Sequence, residues 1–458
     1  MSDNWVVQNL ENALNTWNEK IGILEADMDD RVKKFLSSKD ENILVIYGIR
    51  KSGKTNYIKN AIKGRKEKVI YYEMKNTNEK ENFLLFRNRV SEIFSNKISC
   101  LDFPSIFKEL ASAEERLIII IENADLLFKF SEGIAEDIKK AAKAQRIILT
   151  TSQADFSKEL CRDERFLSID KPVSKYYESF EPLKVLPYSK QLQFQLVFGS
   201  SEFVVSKIDP EESLKRNVRN LLLSNDSIIS EYIEHELFED LGKKSYAFLI
   251  LSILKDRRMR YGDLVEETGQ KYNGLLDKQL NILIDLGLVR KTYPINRKLD
   301  RKKVLYEISD NLLRFYFRFI YPDRDVVEII GSKAYYEKYI EENLDDYFKN
   351  SLRTVLTDYL EKASLDGKYG NSIAIVGRYY ISDDEEEEMA IITEHCHRIF
   401  SLFYDKRVDD EMLSKEKKRI REKTKGNAEI GLFSTNGFTF PSDGEAYISL
   451  KDVFSLKA

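Results

Sequence analysis

The sequence predicts an α/β protein whose leading domain is a parallel sheet covered on both faces by helices. Two observations carry that prediction. The first is a repeated alternation. Apolar runs at Ile43–Tyr47, Val69–Glu73, Arg116–Ile121 and Arg146–Thr150 alternate with helical patterns at Asn56–Lys63, Asn82–Ser95 and Ser131–Ala144. Strands apolar throughout their length belong to sheets buried on both sides, and such sheets are parallel. The second is the stretch that follows the first run, Gly48-Ile-Arg-Lys-Ser-Gly-Lys-Thr55. It has the G-x-x-x-x-G-K-[ST] spacing in a strand–loop–helix setting.

That spacing is a chemistry of phosphate. Glycines at 48 and 53 let the backbone bend tightly, and the following helix adds the partial positive charge of its N-terminus. Gly48, Ile49, Arg50, Lys51, Ser52, Gly53, Lys54, Thr55 and Asn56 form the candidate cradle for ATP or ADP. Lys54 is the candidate for the β- and γ-phosphates, and Thr55 for Mg²⁺. The competing reading is a Gly/Lys-rich surface loop. Glu122 ends the third apolar run, where a phosphate-loop NTPase carries a carboxylate that holds Mg²⁺ through water. Its alternative is a solvated strand end. Asn123 follows, where a catalytic acid is expected. An amide orients water but accepts no proton from it, so hydrolysis is expected to be weak. Asp125 supplies a carboxylate only if the loop turns inward. Thr150 is the candidate sensor of the terminal phosphate, with Thr151 and Ser152 behind it. These landmarks all fall at strand ends, where nucleotide sites of such sheets lie.

Composition sets the wider bounds. At 458 residues the chain is long enough for several domains. With 42% apolar and 33% charged residues it reads as globular with a charged surface, and a net charge of −4 decides nothing until it is resolved by region. Three cysteines without metal-ligand spacing argue for a reducing compartment. No apolar run reaches the ~18 residues of a membrane span and no signal peptide is evident, so a cytoplasmic location is expected.

Residues 1–38 carry Trp5, Val6, Leu10, Leu14 and Trp17 at helical spacing, an amphipathic segment suited to docking on the body. The opening also resembles that of small conjugative-transfer membrane proteins of Gram-positive mobile elements, without the spans that follow there. The phosphate-loop core is assigned to 39–190 and a helical lid or connector to 191–240. Pro182-Leu-Lys-Val-Leu-Pro187 marks a joint. Arg162 and Arg165 are arginine-finger candidates against a plain solvated reading.

Residues 241–325 differ in charge, with 18 basic against 11 acidic residues, a net +7. Three helices, at Tyr246–Leu254, from Tyr261, and at Lys271–Leu286, precede a hairpin formed by Leu288–Tyr293 and Val304–Ile308. That order is a winged helix-turn-helix. Lys271, Tyr272, Asn273 and Lys278 are its candidate recognition residues, and Arg297, Lys298, Arg301, Lys302 and Lys303 its basic wing; they suit phosphates of double-stranded DNA. The alternative is an intramolecular packing module whose charged tip stays wet.

With the block Tyr306-Glu-Ile-Ser-Asp-Asn-Leu-Leu-Arg-Phe315, the chain resembles the archaeal-type AAA/STAND-like P-loop ATPases whose C-terminal domain is restriction-endonuclease-like. The resemblance spans roughly 40–450. It implies ATP and Mg²⁺ at Lys54, Thr55 and Glu122, and switch-like action on a nucleic-acid or protein partner. The chain departs from the family at Asn123, and in lacking an arginine near Tyr176-Tyr177. In 326–458, the small α/β endonuclease-like domain, the metal-holding Asp position falls on Ala390 and the Glu-x-Lys on Tyr404-Asp405-Lys406, so cleavage is expected to fail. His395, Cys396 and His397 cluster, but an alternating strand splits them between faces. The expectation is a nucleotide-dependent switch with slow hydrolysis. The alternative is a winged-helix DNA-binding regulator of a mobile-element or defence locus, with nucleotide in a structural role.

Overall fold

The computed structural model describes residues 28–40, 42–94, 99–171, 174–237, 244–269, 274–296, 303–370, 374–381, 387–393, 397–424, 426 and 428–456. They divide into two compact units, Thr16–Pro172 and one beginning at Val173. The amphipathic pattern of Trp5 to Trp17 lies outside the described residues.

The first unit is built on a five-stranded parallel sheet: β1 (Ile43–Tyr47), β2 (Lys68–Glu73), β3 (Leu117–Glu122), β4 (Arg146–Thr151) and β5 (Phe166–Asp170). Its order is β2-β3-β4-β1-β5, so β1 sits between β4 and the edge strand β5. All five residues of β1 are buried, as an all-apolar run flanked on both faces requires. One face packs Leu44, Ile46, Ile118, Ile120 and Ile148 against Ile58 and Ala61 of the helix Lys54–Ile62. The opposite face packs Val45, Ile119, Ile121, Ile147 and Leu149 under helices that contribute Phe86, Phe103 and Ile138.

Several local expectations are corrected here. The helix Met28–Ser37 is part of this unit, with Val32 and Leu36 buried on the sheet, so a boundary at residue 38 cuts through a core. The helix expected over Ser131–Ala144 is Ile134–Ala141, and a separate helix not expected there, Ala124–Phe130, precedes it, the two divided by a turn that includes Gly133 at φ 77°. Gly takes that left-handed turn at no Cβ cost. A further helix, Phe103–Ala111, is capped by Asp102 and carries a proline in its first turn. Finally, β5 is a fifth strand beyond the four apolar runs expected from the sequence.

The second unit begins well before residue 190. Tyr188, which opens the helix Tyr188–Phe198, stacks on Phe454 at 6.4 Å, and Phe180 does so at 6.3 Å. The expected connector 191–240 and tail 326–458 share one aromatic core with the helix Asn311–Phe319. Tyr347 donates to the Leu196 carbonyl at 2.8 Å, and its ring meets Phe315 at 5.5 Å. Between them, helices Lys244–Leu254, Tyr261–Glu267 and Leu275–Asp285 accompany a small antiparallel sheet of β6 (Met259–Arg260), β7 (Val289–Thr292) and β8 (Leu305–Ile308), ordered β6-β8-β7. A second five-stranded sheet holds β9 (Ile375–Tyr380), β10 (Glu387–Ile392), β11 (His397–Phe403), β12 (Glu429–Ser434) and β13 (Tyr447–Ser449). Its β9, β10 and β11 are antiparallel, and β11, β12 and β13 run parallel.

The hairpin loop between β7 and β8 is fastened to β9. Ile295 N–H donates to the Arg378 carbonyl at 2.7 Å, and Asn296 exchanges two hydrogen bonds with the Tyr380 backbone at 2.8 and 3.0 Å. The buried Arg378 guanidinium donates to the carbonyls of Thr292 and Lys303 at 2.9 and 2.7 Å. Both limbs of the loop are thereby held.

Asp310 caps the helix Asn311–Phe319 by accepting from Leu313 N–H at 2.8 Å. Burial pushes its carboxyl up from 3.8 to about 6, against the opposing pull of the cap and of Arg314. The folded state therefore holds this proton more tightly than the unfolded chain does. The group's contribution to stability is greatest below about pH 4 and declines until about pH 6. Asparagine caps a helix as well as aspartate does. Asp310→Asn is expected to raise stability at pH 7.5 by roughly 1–3 kcal/mol and to match wild type near pH 4, read by thermal melts at both pH values.

Candidate phosphate-loop site

The loop after β1 is shaped by two left-handed residues, Lys51 at φ 58° and Gly53 at φ 90°, immediately before the helix Lys54–Ile62. Such turns bend a backbone into an anion-binding nest, and the helix N-terminus adds to it. A Cβ at Gly48 would be driven into the Lys171 carbonyl oxygen, with Ser52 Oγ 3.1 Å away. Only glycine fits there. Ser52 is 3% exposed, and its hydroxyl has no hydrogen-bond partner among the described residues. An orphaned buried hydroxyl is costly, and here it sits inside the cradle. The Lys54 ammonium folds back, donating to the carbonyls of Gly48 and Ile49 at 2.7 and 2.9 Å. Arg50 and Lys51 are half-buried and Asn56 is exposed on the first helical turn.

Thr55 and Glu122 meet across the mouth of the loop, Thr55 Oγ1 donating to Glu122 Oε1 at 2.5 Å. Alternation along β3 places Glu122 on the same sheet face as Ile118 and Ile120, the face covered by the loop's own helix. Thr150 shares that face by the same alternation along β4. Tyr71, on the neighbouring β2, has its phenol pKa raised by burial, by the Glu122 charge and by a hydrogen bond to that carboxylate.

Asn123 does not join them. It adopts φ 52°, and its amide donates to the Met74 carbonyl at 3.0 Å, beyond the end of β2 and away from β1. Asp125 opens the next helix and accepts from Thr151 Oγ1 at 2.7 Å. Thr151 lies on the opposite face from Thr150, so Asp125 turns inward toward β4 but across the sheet from Glu122. Arg162 and Arg165 precede β5, and the Arg165 carbonyl accepts from Ile43 N–H at the start of β1. They stand at the amino ends of the strands, opposite the loop.

Two residues at the site went unread in the sequence. Lys171 follows β5 directly; it is 4% exposed and donates its N–H to the Tyr47 carbonyl at 2.6 Å. Its ammonium lies 4.4 Å from the centroid of Tyr57, on the loop's helix. The available signal was the short run Phe166-Leu-Ser-Ile-Asp170 ahead of Lys171-Pro172.

Of the candidate nucleic-acid residues, Lys271, Tyr272, Asn273, Arg297, Lys298, Arg301 and Lys302 lie outside the described residues. Lys278 is exposed on its helix. Lys303 is half-buried, its ammonium 5.5 Å from the Tyr380 ring, so it belongs to the fastened base of the hairpin loop. In the second five-stranded sheet Ala390 is fully buried beside Ile399 and Ile420. The face of β11 that neighbours it carries Ile399, Ser401 and Phe403, whereas Tyr404 lies past the strand end and donates to Asp345 at 3.1 Å. The sequence register that paired Ala390 with Tyr404-Asp405-Lys406 is thus displaced. Ser401 instead donates to Glu416 at 2.8 Å, beside the Arg419 pairs to Glu416 and Glu388 at 2.8 and 2.9 Å. His395 and Cys396 lie outside the described residues; among those described, no group of three His, Cys, Asp or Glu is placed to hold a metal.

Residues 316–417 match a family model. It is described as archaeal and bacterial proteins of unknown function, DUF234. An uncharacterized protein of Methanocaldococcus jannaschii is 23% identical over 344 residues, covering 69% of this chain and 74% of its own. Among solved structures, Drosophila ORC bound to DNA aligns over 64% of this chain and 86% of its own, with 10% identity and a TM-score of 0.30. The Saccharomyces cerevisiae Hsp104–ADP complex aligns over 73% and 55%, with 14% identity and a TM-score of 0.29. No helix among the described residues is long and apolar enough to cross a membrane.

The glycine cradle generates a stability expectation independent of any ligand. Gly48→Ala forces the β5 terminus off the loop and should cost about 1–3 kcal/mol. Chemical denaturation monitored by circular dichroism checks it, and an unchanged midpoint would show that the β5 terminus yields freely.

Proposed function

We propose that this chain binds ATP with Mg²⁺ in the Gly48–Thr55 loop and works as a nucleotide-dependent switch of the AAA/STAND-like kind, with slow hydrolysis. The observation that carries this reading is the contact between Thr55 Oγ1 and Glu122 Oε1, two oxygens brought together from 67 positions apart in the sequence. Mg²⁺ prefers oxygen ligands, keeps several waters and takes one or two protein groups. Thr55 and Glu122 would hold it, Lys54 would leave the loop carbonyls for phosphate oxygens, and Ser52 would gain the partner its hydroxyl lacks. When bound, the ion would neutralise charge on the phosphates. Slow hydrolysis follows from side-chain direction. Asn123 holds the Met74 carbonyl, and the Asp125 carboxylate accepts from Thr151 on the other face. Neither stands beside Thr55 as a base for water.

A second reading rests on the net +7 of residues 241–325 and on their three helices with the β6-β8-β7 sheet. We read this as a winged helix that associates with double-stranded DNA or packs against a protein partner. The β9–β13 sheet, with the helix Asp410–Lys423 between β11 and β12, is read as an endonuclease-like domain kept for binding or packing.

Phosphate release and calorimetric nucleotide affinity, measured for wild type and Lys54→Ala, test the main reading. Wild type should bind Mg·ATP and the variant should lose at least about tenfold in affinity. Equal affinities, or no binding by either, would remove it. Asn123→Gly keeps the left-handed backbone while deleting the amide, so its turnover should stay within about threefold of wild type, whereas Glu122→Gln should lose at least about tenfold. A collapse of turnover in Asn123→Gly would put Asn123 back in the reaction.

A further inference from the structure

The Glu122 carboxylate has a partner besides Thr55, and it comes from the other side of β3. Strand β2 lies at the edge of the first sheet beside β3, and the register of that pair sets Tyr71 opposite Ile120. Register partners share a face, so Tyr71 stands on the face of Ile120 and Glu122, two residues short of the carboxylate. That offset is about 7 Å along the strand, which a tyrosine side chain spans, and the Tyr71 phenol hydrogen-bonds the Glu122 carboxylate. The Tyr71 side chain is 36% exposed, whereas Ile120 beside it is buried, so core packing alone does not set the direction of the ring. Burial, the Glu122 charge and that hydrogen bond keep the phenol well above its usual pKa of 10. It stays a neutral O–H donor throughout the working range.

We infer that Tyr71 is the positioning residue of the Mg²⁺-holding carboxylate, orienting Glu122 before the ion arrives. The inference rests on the nucleotide reading above and extends it to a residue outside the motif. Glu122 is bracketed by donors from two elements, Thr55 Oγ1 at the start of the loop's helix at 2.5 Å and the Tyr71 phenol on β2. A carboxylate has about four lone-pair sites, so two donors fix its direction and leave sites to face an ion or its waters. Glutamate is among the side chains with most rotamer freedom to lose. A donor that orders it beforehand removes a cost that ion binding would otherwise carry. Removing a group that orients a metal ligand typically costs about 10–100-fold in metal affinity.

The test is calorimetry of the full chain with ATP, in EDTA and across a Mg²⁺ titration, for wild type, Tyr71→Phe, Glu122→Gln and the double variant. Phenylalanine removes the hydroxyl and keeps the ring. Tyr71→Phe should raise the Mg²⁺ concentration that half-saturates the ATP complex by about tenfold or more. Its affinity for ATP in EDTA and its melting temperature without ligand should match wild type. Because Tyr71 acts through Glu122, adding Tyr71→Phe to Glu122→Gln should shift the Mg²⁺ dependence by less than about twofold. A wild-type Mg²⁺ midpoint in Tyr71→Phe overturns the inference while leaving the nucleotide reading standing. Equal losses with and without Mg²⁺ overturn it too, because Tyr71 would then be only a structural support of β2, and so do effects that multiply in full in the double variant. No ATP binding by wild type removes both claims.

Discussion

The carbonyl oxygen of Lys171 occupies the space that any side chain at position 48 would need. Much of the first unit depends on that close approach. It lets β5 run to its end alongside β1, with Lys171 N–H continuing the ladder onto Tyr47, and it fixes the loop's first residue between two strands. The loop's last residues are fixed from the other side, where Thr55 reaches Glu122 at the end of β3. Between those anchors the backbone turns through Lys51 and Gly53. A short segment is thus held at both ends by rigid sheet, which keeps a set of N–H groups arranged without a ligand to organise them.

The second unit is held by a different principle. Its aromatic helix Asn311–Phe319 is buried on nearly every side, and the polar groups it carries inward are paired. Asn311 donates to the Gln195 carbonyl at 3.3 Å and accepts from Thr354 at 3.2 Å. Glu307 and Arg290 pair at 2.6 Å. Burial alone would raise the Glu307 carboxyl, but the charges of Arg290, Arg314 and Arg258 outweigh it and bring it to about 2. Buried polar groups of this kind stabilise little on balance, but removing one partner strands the other. They therefore specify how the helix sits more than they strengthen it.

What could be read from the sequence follows the same physics. Strands β1, β3 and β4 were located to within a residue or two because both faces are buried, which leaves continuous apolar runs; the edge strand β2 buries only Ile70 and Tyr72 and was legible from its Val-Ile-Tyr-Tyr run. The edge strand β5 buries only Phe166 and Ile169 of its five residues, a pattern that is neither continuous nor alternating, and it was missed. Lys171 was missed with it, since its importance comes from the strand it follows. The loop itself was legible because its function requires residue types at fixed spacing. The direction of Asn123 was not, because a left-handed backbone at that residue, rather than its identity, sends the amide toward Met74. Tyr404 failed for a related reason: a register argument across strands tolerates no slip, since one residue moves every side chain to the other face.

The fastening of the hairpin loop to β9 bears on how the chain stays out of trouble. An open sheet ends in a row of unpaired backbone groups that invites strands from other molecules. Here Pro294, Ile295 and Asn296 lie along β9 and occupy part of that border, with Arg378 tying both limbs of the loop. The stretch matched by the family model, 316–417, includes β9 but neither this covering segment nor β12 and β13. Cut out by itself, it would carry two raw borders where the whole chain pairs one with β12 and covers part of the other, and it would be expected to self-associate. The stretch that the family model matches and the stretch that keeps its sheet borders paired are thus different lengths of this polypeptide.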